Sequence, residues 1–197
     1  MGSGAGWLLG IDTATPWLSL ALWHSTDGRS ARSDARLDRA SASHLMGALD
    51  DLLQRHGVER EALSGVGVGV GPGSYTGIRI GIAAALGLGR ALSVQVSGSG
   101  TLEALAFAAL ADGERGWVLL DARRERVYAL CAQRSGETLL VEREAALLLR
   151  QELPNDALPR YEGHAPDARW HALAHRLGAS PEPRYELGAA RGVEQAP

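Results

Sequence analysis

The chain has 197 residues, 45% of them apolar and 22% charged, with a formal net charge of −3. That leaves room for one sizeable domain or two small ones of ordinary globular composition, and the acidic balance argues against a free-standing nucleic-acid binder. A single cysteine, Cys131, excludes an internal disulfide and fits a reducing compartment. No apolar run reaches the ~18 residues of a membrane span, and the opening MGSGAGWLLGID lacks the basic segment of a signal peptide. The expectation is a cytoplasmic protein without a membrane segment.

Trp7 to Ile11 reads as a short apolar strand ending in the polar turn DTATP, residues 12 to 16. Trp17 to Trp23 is a second strand, and after the Asp27-Gly28 turn Arg29 to Leu37 is a third, more exposed one. A helix follows from about Ser43 to His56, with Leu45, Leu49, Leu52 and Leu53 on one face and Gly57 as its stop.

The stretch from Gly65 to Leu92 organises the chain. Val66, Val68 and Val70 alternate with glycines, a strand pattern with one face stripped of side chains. Gly71-Pro72-Gly73 breaks it, and Ser74 or Thr76 can cap a helix from about Gly77 to Ala91. In that helix Gly77, Gly81, Ala85 and Gly89 recur every four residues, so one row of small residues lets another backbone come close. Each such glycine costs roughly 1 kcal/mol against alanine, which points to a tight packing surface.

Val94 to Val96 is a further strand, and a helix carries Leu102, Leu105, Ala106, Ala109 and Leu110. Trp117 to Leu120 and Arg126 to Gln133 pair around the loop Ala122-Arg123-Arg124-Glu125. Glu137 to Val141 adds an edge, and Glu142 to Glu152 reads as a helix. Prolines 154, 159, 166, 181 and 183 then break the chain, leaving one helix from about Asp167 to Leu177 and a loosely ordered tail. Strands alternating with helices over the first ~150 residues make an α/β arrangement around a mixed sheet.

Several groups can carry chemistry, each with a plainer alternative. In DTATP, Asp12 can hold a metal-bound water, and Thr13 can offer hydroxyl and amide to a phosphate; a structural Asx or ST turn explains the same residues. GPGSYTGIR offers Gly71, Gly73, Ser74, Thr76 and Arg79 at a helix start, where free amides attract anions. No lysine follows as in a phosphate loop, so close packing at a strand-to-helix turn is equally served. His171 and His175 stand four apart, a metal-binding spacing, with Glu162, His164 or Asp167 as third ligand. Arg123-Arg124-Glu125-Arg126 can touch tRNA or a phosphate, or be a solvated hairpin turn. Cys131 reads as a buried, inert thiol. No catalytic set emerges, and no serine or cysteine pairs with a histidine in a recognisable triad.

LLGIDTATPWLSLAL, SASHLMGALDDLL, VGVGPGSYTGIRIGIAAALGLGRAL and VLLDARRERVYAL, in this order, resemble the TsaB (YeaZ) family over about residues 7 to 135. GPGSYTGIRIG carries most of that likeness; beyond about Leu153 only Pro183-Arg184-Tyr185 contributes. The resemblance implies an α/β fold of the ASKHA class (actin, Hsp70, sugar kinases; ribonuclease H-like), built from two related subdomains with the second abbreviated. The division expected is residues 1–100, with the partner-binding helices, and residues 101–197, with the tail. It also implies an accessory role: no catalysis by this chain alone, but support of TsaD, the subunit that forms N6-threonylcarbamoyladenosine at position 37 of ANN-decoding tRNAs. TsaE, an ATPase, joins them, and tRNA is met through the complex. A homodimer forms in TsaD's absence, through the same two helices. Here that surface maps to His44, Leu45, Leu49 and Leu52 with Gly77, Gly81, Ala85 and Leu88. No cofactor is implied for the chain itself, although ATP or ADP at the TsaD interface is compatible with an ASKHA-type turn at Gly71 to Gly77. The metal of TsaD does not carry over, since His171 and His175 stand far from the matching place. The alternatives are a stand-alone ASKHA ATPase or kinase, using Asp12 and the glycine turn, and, less favoured, a protease.

Overall fold

In a computed structural model, residues 6–37 and 42–175 are described. Strand β1 (Trp7–Asp12) pairs antiparallel with β2 (Trp17–His24), which pairs antiparallel with β3 (Ser30–Arg36). Helix α1 (Ala42–His56) leads back to β4 (Leu63–Gly69), parallel to β1. Helix α2 (Tyr75–Leu92) leads to β5 (Gln95–Ser99), parallel to β4. The order of this first sheet is β3-β2-β1-β4-β5.

After α3 (Thr101–Ala109), a second sheet repeats the plan. Strands β6 (Arg115–Asp121), β7 (Arg126–Ser135) and β8 (Thr138–Leu149) form an antiparallel meander, and β9 (Arg160–Glu162) returns parallel to β6. The order β8-β7-β6-β9 matches the first four positions of the first sheet, so the two halves are related α/β units. The last described helix, α4 (Arg169–His175), does not stay with the second sheet; it lies on β1, β4 and β5 of the first.

The alternation in β4 explains how both faces of the first sheet are used. Val66, Val68 and Val70 point to α1 and α2, where they join Leu9, Ile11, Leu45, Leu49, Leu52 and Leu88 in the main core. Each fully buried aliphatic side chain there contributes roughly 1.5–3 kcal/mol of transfer free energy. Gly65, Gly67 and Gly69 face α4. A Cβ on Gly67 would land on the His171 carbonyl oxygen, one on Gly65 on the His175 ring, and one on Gly10 on the Ala168 carbonyl oxygen. The stripped face is a seat cut for a helix backbone.

The second sheet rests one face on α3, through Leu102, Leu105, Val118, Leu130 and Ala132. Its other face collects Trp117, Leu119, Val127, Ala129 and Cys131 under Leu148, Leu153 and Leu158. Segment 142–152, expected as a helix, instead continues β8 to Leu149, with a single 3-10 turn at Arg150–Glu152. Its residues have good helix propensity, but propensity is a weak prior. Tyr128, Val127 and Arg126 pair with Leu147, Leu148 and Leu149, ladder bonds a helix would have left unmade. The proline-rich stretch holds one strand that periodicity does not reveal, β9, only three residues long. The expected end of the last helix at Leu177, and the tail, lie outside the described residues.

Candidate functional site

The DTATP turn is fully buried at Asp12 and nearly so at Thr13. Asp12 Oδ1 accepts the Ala14 amide at 2.9 Å, the Asx-turn geometry. Oδ2 accepts from the Thr101 hydroxyl at 2.9 Å and lies 2.9 Å from His171 Nε2. His171 Nδ1 lies 2.6 Å from the Ser99 hydroxyl. A carboxylate oxygen accepts, so the ring proton sits on Nε2 and Nδ1 accepts from Ser99. Four side chains from β1, β5, α3 and α4 thus form one closed polar chain inside the protein. A buried acid without such partners would cost several kcal/mol.

One turn further along α4, His175 Nδ1 lies 2.8 Å from the Ser97 hydroxyl. Burial pushes this imidazole below the ordinary histidine value, against a smaller opposing hydrogen bond to the Val66 backbone. The two histidines, four apart, are therefore spent on two serines and an acid. Among the described residues no group of three His, Cys, Asp or Glu is placed to hold a metal ion.

The glycine turn closes the same region from the α2 side. The Ser74 amide donates to the Ala14 carbonyl at 2.6 Å, and its hydroxyl caps α2 by accepting from Gly77 N at 3.3 Å. Thr13 Oγ1 donates to the Gly77 carbonyl at 2.8 Å. Cβ atoms on Gly73 and Gly77 would strike the carbonyls of Ala14 and Thr13, and one on Gly81 the Thr13 hydroxyl. Gly71 is buried, whereas Thr76 and Arg79 are exposed on the first turns of α2. The Arg79 guanidinium stays on its own helix, 2.8 Å from the Tyr75 hydroxyl. The structure thus brings Asp12, Thr13, Gly73, Ser74 and Gly77 together, packed on one another, and leaves Thr76 and Arg79 facing solvent.

The helical surface needs correcting residue by residue. Leu45, Leu49, Leu52, Ala85 and Leu88, expected at a partner interface, are core residues of this chain. Gly77 and Gly81 meet the DTATP turn, and Gly89 meets Val96. The close approach inferred from the four-residue spacing is real, but the approaching backbone is the chain's own. Of the expected interface residues only His44 is exposed.

The outward faces of the same two helices carry other residues. Tyr75 and Leu86 are 59% and 48% exposed. Ala83, Gly87 and Arg90 continue that stripe on α2, with His44, Gly47 and Asp51 on α1. A Cβ on Gly47 or Gly87 would meet nothing within 4 Å. The signal for this surface was present in the sequence as the other side of each helix.

Cys131 is buried, and desolvation followed by the nearby Glu142 carboxylate pushes its thiol up from the ordinary value, which keeps it protonated and inert.

Two related sheets joined by helices, with a buried acid turn at the end of the first strand, define an α/β protein of the ASKHA class. Residues 35–168, more than half of the chain, match the family described as TsaD: tRNA N6-adenosine threonylcarbamoyltransferase, and the chain belongs to that family. Its likeness within that family is to YeaZ, the TsaB type. YeaZ from Pseudomonas aeruginosa superposes with a TM-score of 0.77 at 26% identity, over 91% of this chain and 99% of that one. A second structure, of an uncharacterized protein with similarity to peptidase YEAZ from Pseudomonas aeruginosa, gives 0.74 at 27% identity over 97% of each. No curated protein matches the chain.

Proposed function

We propose that this chain is a non-catalytic subunit of the machinery that forms N6-threonylcarbamoyladenosine in tRNA, binding and stabilising the catalytic TsaD-type subunit. The observation that carries the reading is Asp12: both carboxylate oxygens are engaged internally, so the one acid turn with a chemical pattern serves the fold. The outward face of α1 and α2 supports it from the other side. Small residues at Gly47, Ala83 and Gly87, beside exposed Leu86 and Tyr75, suit the close approach of partner helices. In this reading the same face makes a homodimer when the catalytic subunit is absent. TsaE joins the pair in the cytoplasm, ATP or ADP belongs to the joint boundary, and this chain needs no cofactor of its own.

The test is to purify the chain with and without the TsaD-type subunit of its own genome. Complex formation is measured, then tRNA modification with TsaE, ATP and threonylcarbamoyl-adenylate. Substituting Leu86→Glu on the outward face should leave the fold within about 0.5 kcal/mol yet weaken the complex at least 10-fold. Robust ATP turnover by the isolated chain would overturn the reading in favour of a stand-alone ATPase or kinase.

A further inference from the structure

The loop between β6 and β7 has a backbone that its sequence does not announce. Arg123, Arg124 and Glu125 have φ of 63°, 52° and 58°, three successive residues in the left-handed region. For residues with a side chain this conformation is disfavoured, and it is ordinarily met singly. At other open hairpin turns the chain fills the same conformation with glycine, as at Gly28 (φ 70°) between β2 and β3 and Gly136 (φ 58°) between β7 and β8. Between β6 and β7 it keeps two arginines and a glutamate. Hydrogen bonds hold the loop in place: Ala122 N to Arg126 O at 2.9 Å, Arg126 N to Arg123 O at 3.1 Å, and Arg150 N to Glu125 O at 2.8 Å.

Strain retained where glycine would relieve it points to the side chains as the reason. Arg123 and Arg124 are both exposed, and neither guanidinium has a hydrogen-bond or ion-pair partner among the described residues. The neighbouring acids do not neutralise them. Asp121 lies 3.6 Å from Arg150, and Glu162 lies 2.6 Å from the same guanidinium. Counting Arg150 with the two acids it meets, four arginines stand against Asp121, Glu125 and Glu162, a small cationic excess whose two unpaired members are Arg123 and Arg124, on a chain whose formal net charge is −3.

We propose that residues 122–126 form a contact site for the phosphate backbone of an RNA, with Arg123 and Arg124 as the phosphate ligands. Rigid arginine forks match phosphate geometry, and a pinned loop presents them at little entropic cost. Such contacts position an RNA without reading its sequence. The proposal deepens the tRNA-modification reading and rests on it for the identity of the RNA.

The experiment uses the full chain, alone and with the TsaD-type subunit, and a fluorescent tRNA transcript with an ANN anticodon in 50–200 mM KCl, read by anisotropy. The double variant Arg123→Glu/Arg124→Glu should weaken tRNA binding about 5- to 10-fold at 100 mM salt. It should also reduce the slope of log affinity against log salt by about 1.5 to 2. The single variant Arg124→Gly separates the two roles of that residue. It should raise Tm by about 2–4 °C, because glycine takes the left-handed conformation freely, while weakening tRNA binding. Unchanged affinity and salt slope in both variants would overturn the proposal, as would loss of subunit assembly with tRNA affinity intact, the mark of an acidic protein partner. If the wild-type chain forms no complex, the subunit reading fails by itself. The tRNA affinity of the isolated chain and its variants then decides the loop by the same two criteria.

Discussion

The first sheet has two faces built on opposite plans. Toward α1 and α2 it presents valine, leucine and isoleucine, and the helices answer with leucines. Toward α4 it presents glycine, serine and Asp12, and the helix answers with its own backbone and two histidines. The apolar face draws its stability from area and tolerates rearrangement in proportion to volume. The polar face depends on a fixed geometry of linked hydrogen bonds, with Asp12 Oδ2 shared by Thr101 and His171, so it has little tolerance. With that second plan the chain closes the space beside its acid turn.

The contrast can be broken most sharply at Gly67. Gly67→Val would place its Cβ on the His171 carbonyl oxygen, so the backbone of β4 or α4 must shift. The expected outcome is loss of the folded chain, or α4 driven off the sheet, read by circular dichroism and by amide exchange in residues 169–175. Leu49→Ala on the other face should cost about 2–5 kcal/mol in urea denaturation and leave exchange in α4 unchanged relative to the global transition. Equal effects on α4 from both would dissolve the distinction.

Asp12→Ala comes next. It removes the acceptor shared by His171 and Thr101, which stay buried without it. A loss of about 2–5 kcal/mol is expected, because two buried donors, the Thr101 hydroxyl and His171 Nε2–H, are left without their acceptor. A variant as stable as the wild type would mean that the acid is retained for a ligand and not for the fold.

The smallest effect concerns pH. His175 has its pKa lowered by burial, so in the folded chain it binds a proton less readily than in the unfolded one. Between the ordinary histidine value of 6.5 and the lower folded value, the unfolded state holds more protons, so stability rises with pH across that window. The contribution is complete above about 6.5 and falls away on acidification, modestly because the ring is only half-buried. His175→Gln should flatten urea midpoints between pH 5 and 7; an undiminished slope would assign the dependence elsewhere.

Much of this was legible in the residues, and the gaps have physical causes. The valine–glycine alternation of β4 announced a strand with one bare face, because period two is a local property. What fills that face comes from His171 and His175, about 100 residues later, and no local pattern links them to Gly67. The four-residue row in α2 correctly implied close approach; it did not say whose backbone approaches, and Thr13 is the answer. Helix-forming residues at 142–149 lost to the unpaired edge of β7, a tertiary demand. The left-handed run at Arg123 has no sequence signature, since residues that prefer that conformation are absent from it.

Because α4 is made after both sheets yet belongs to the first, the order of synthesis matters. When β5 leaves the ribosome, the glycine floor of the first sheet is still bare, and Asp12 has no histidine. Roughly 75 residues separate Ser99 from His175, about 4–15 s of translation at ordinary rates. For that interval the nascent first half is a sheet open on one side. Translation speed through the second sheet therefore sets how long that exposure lasts.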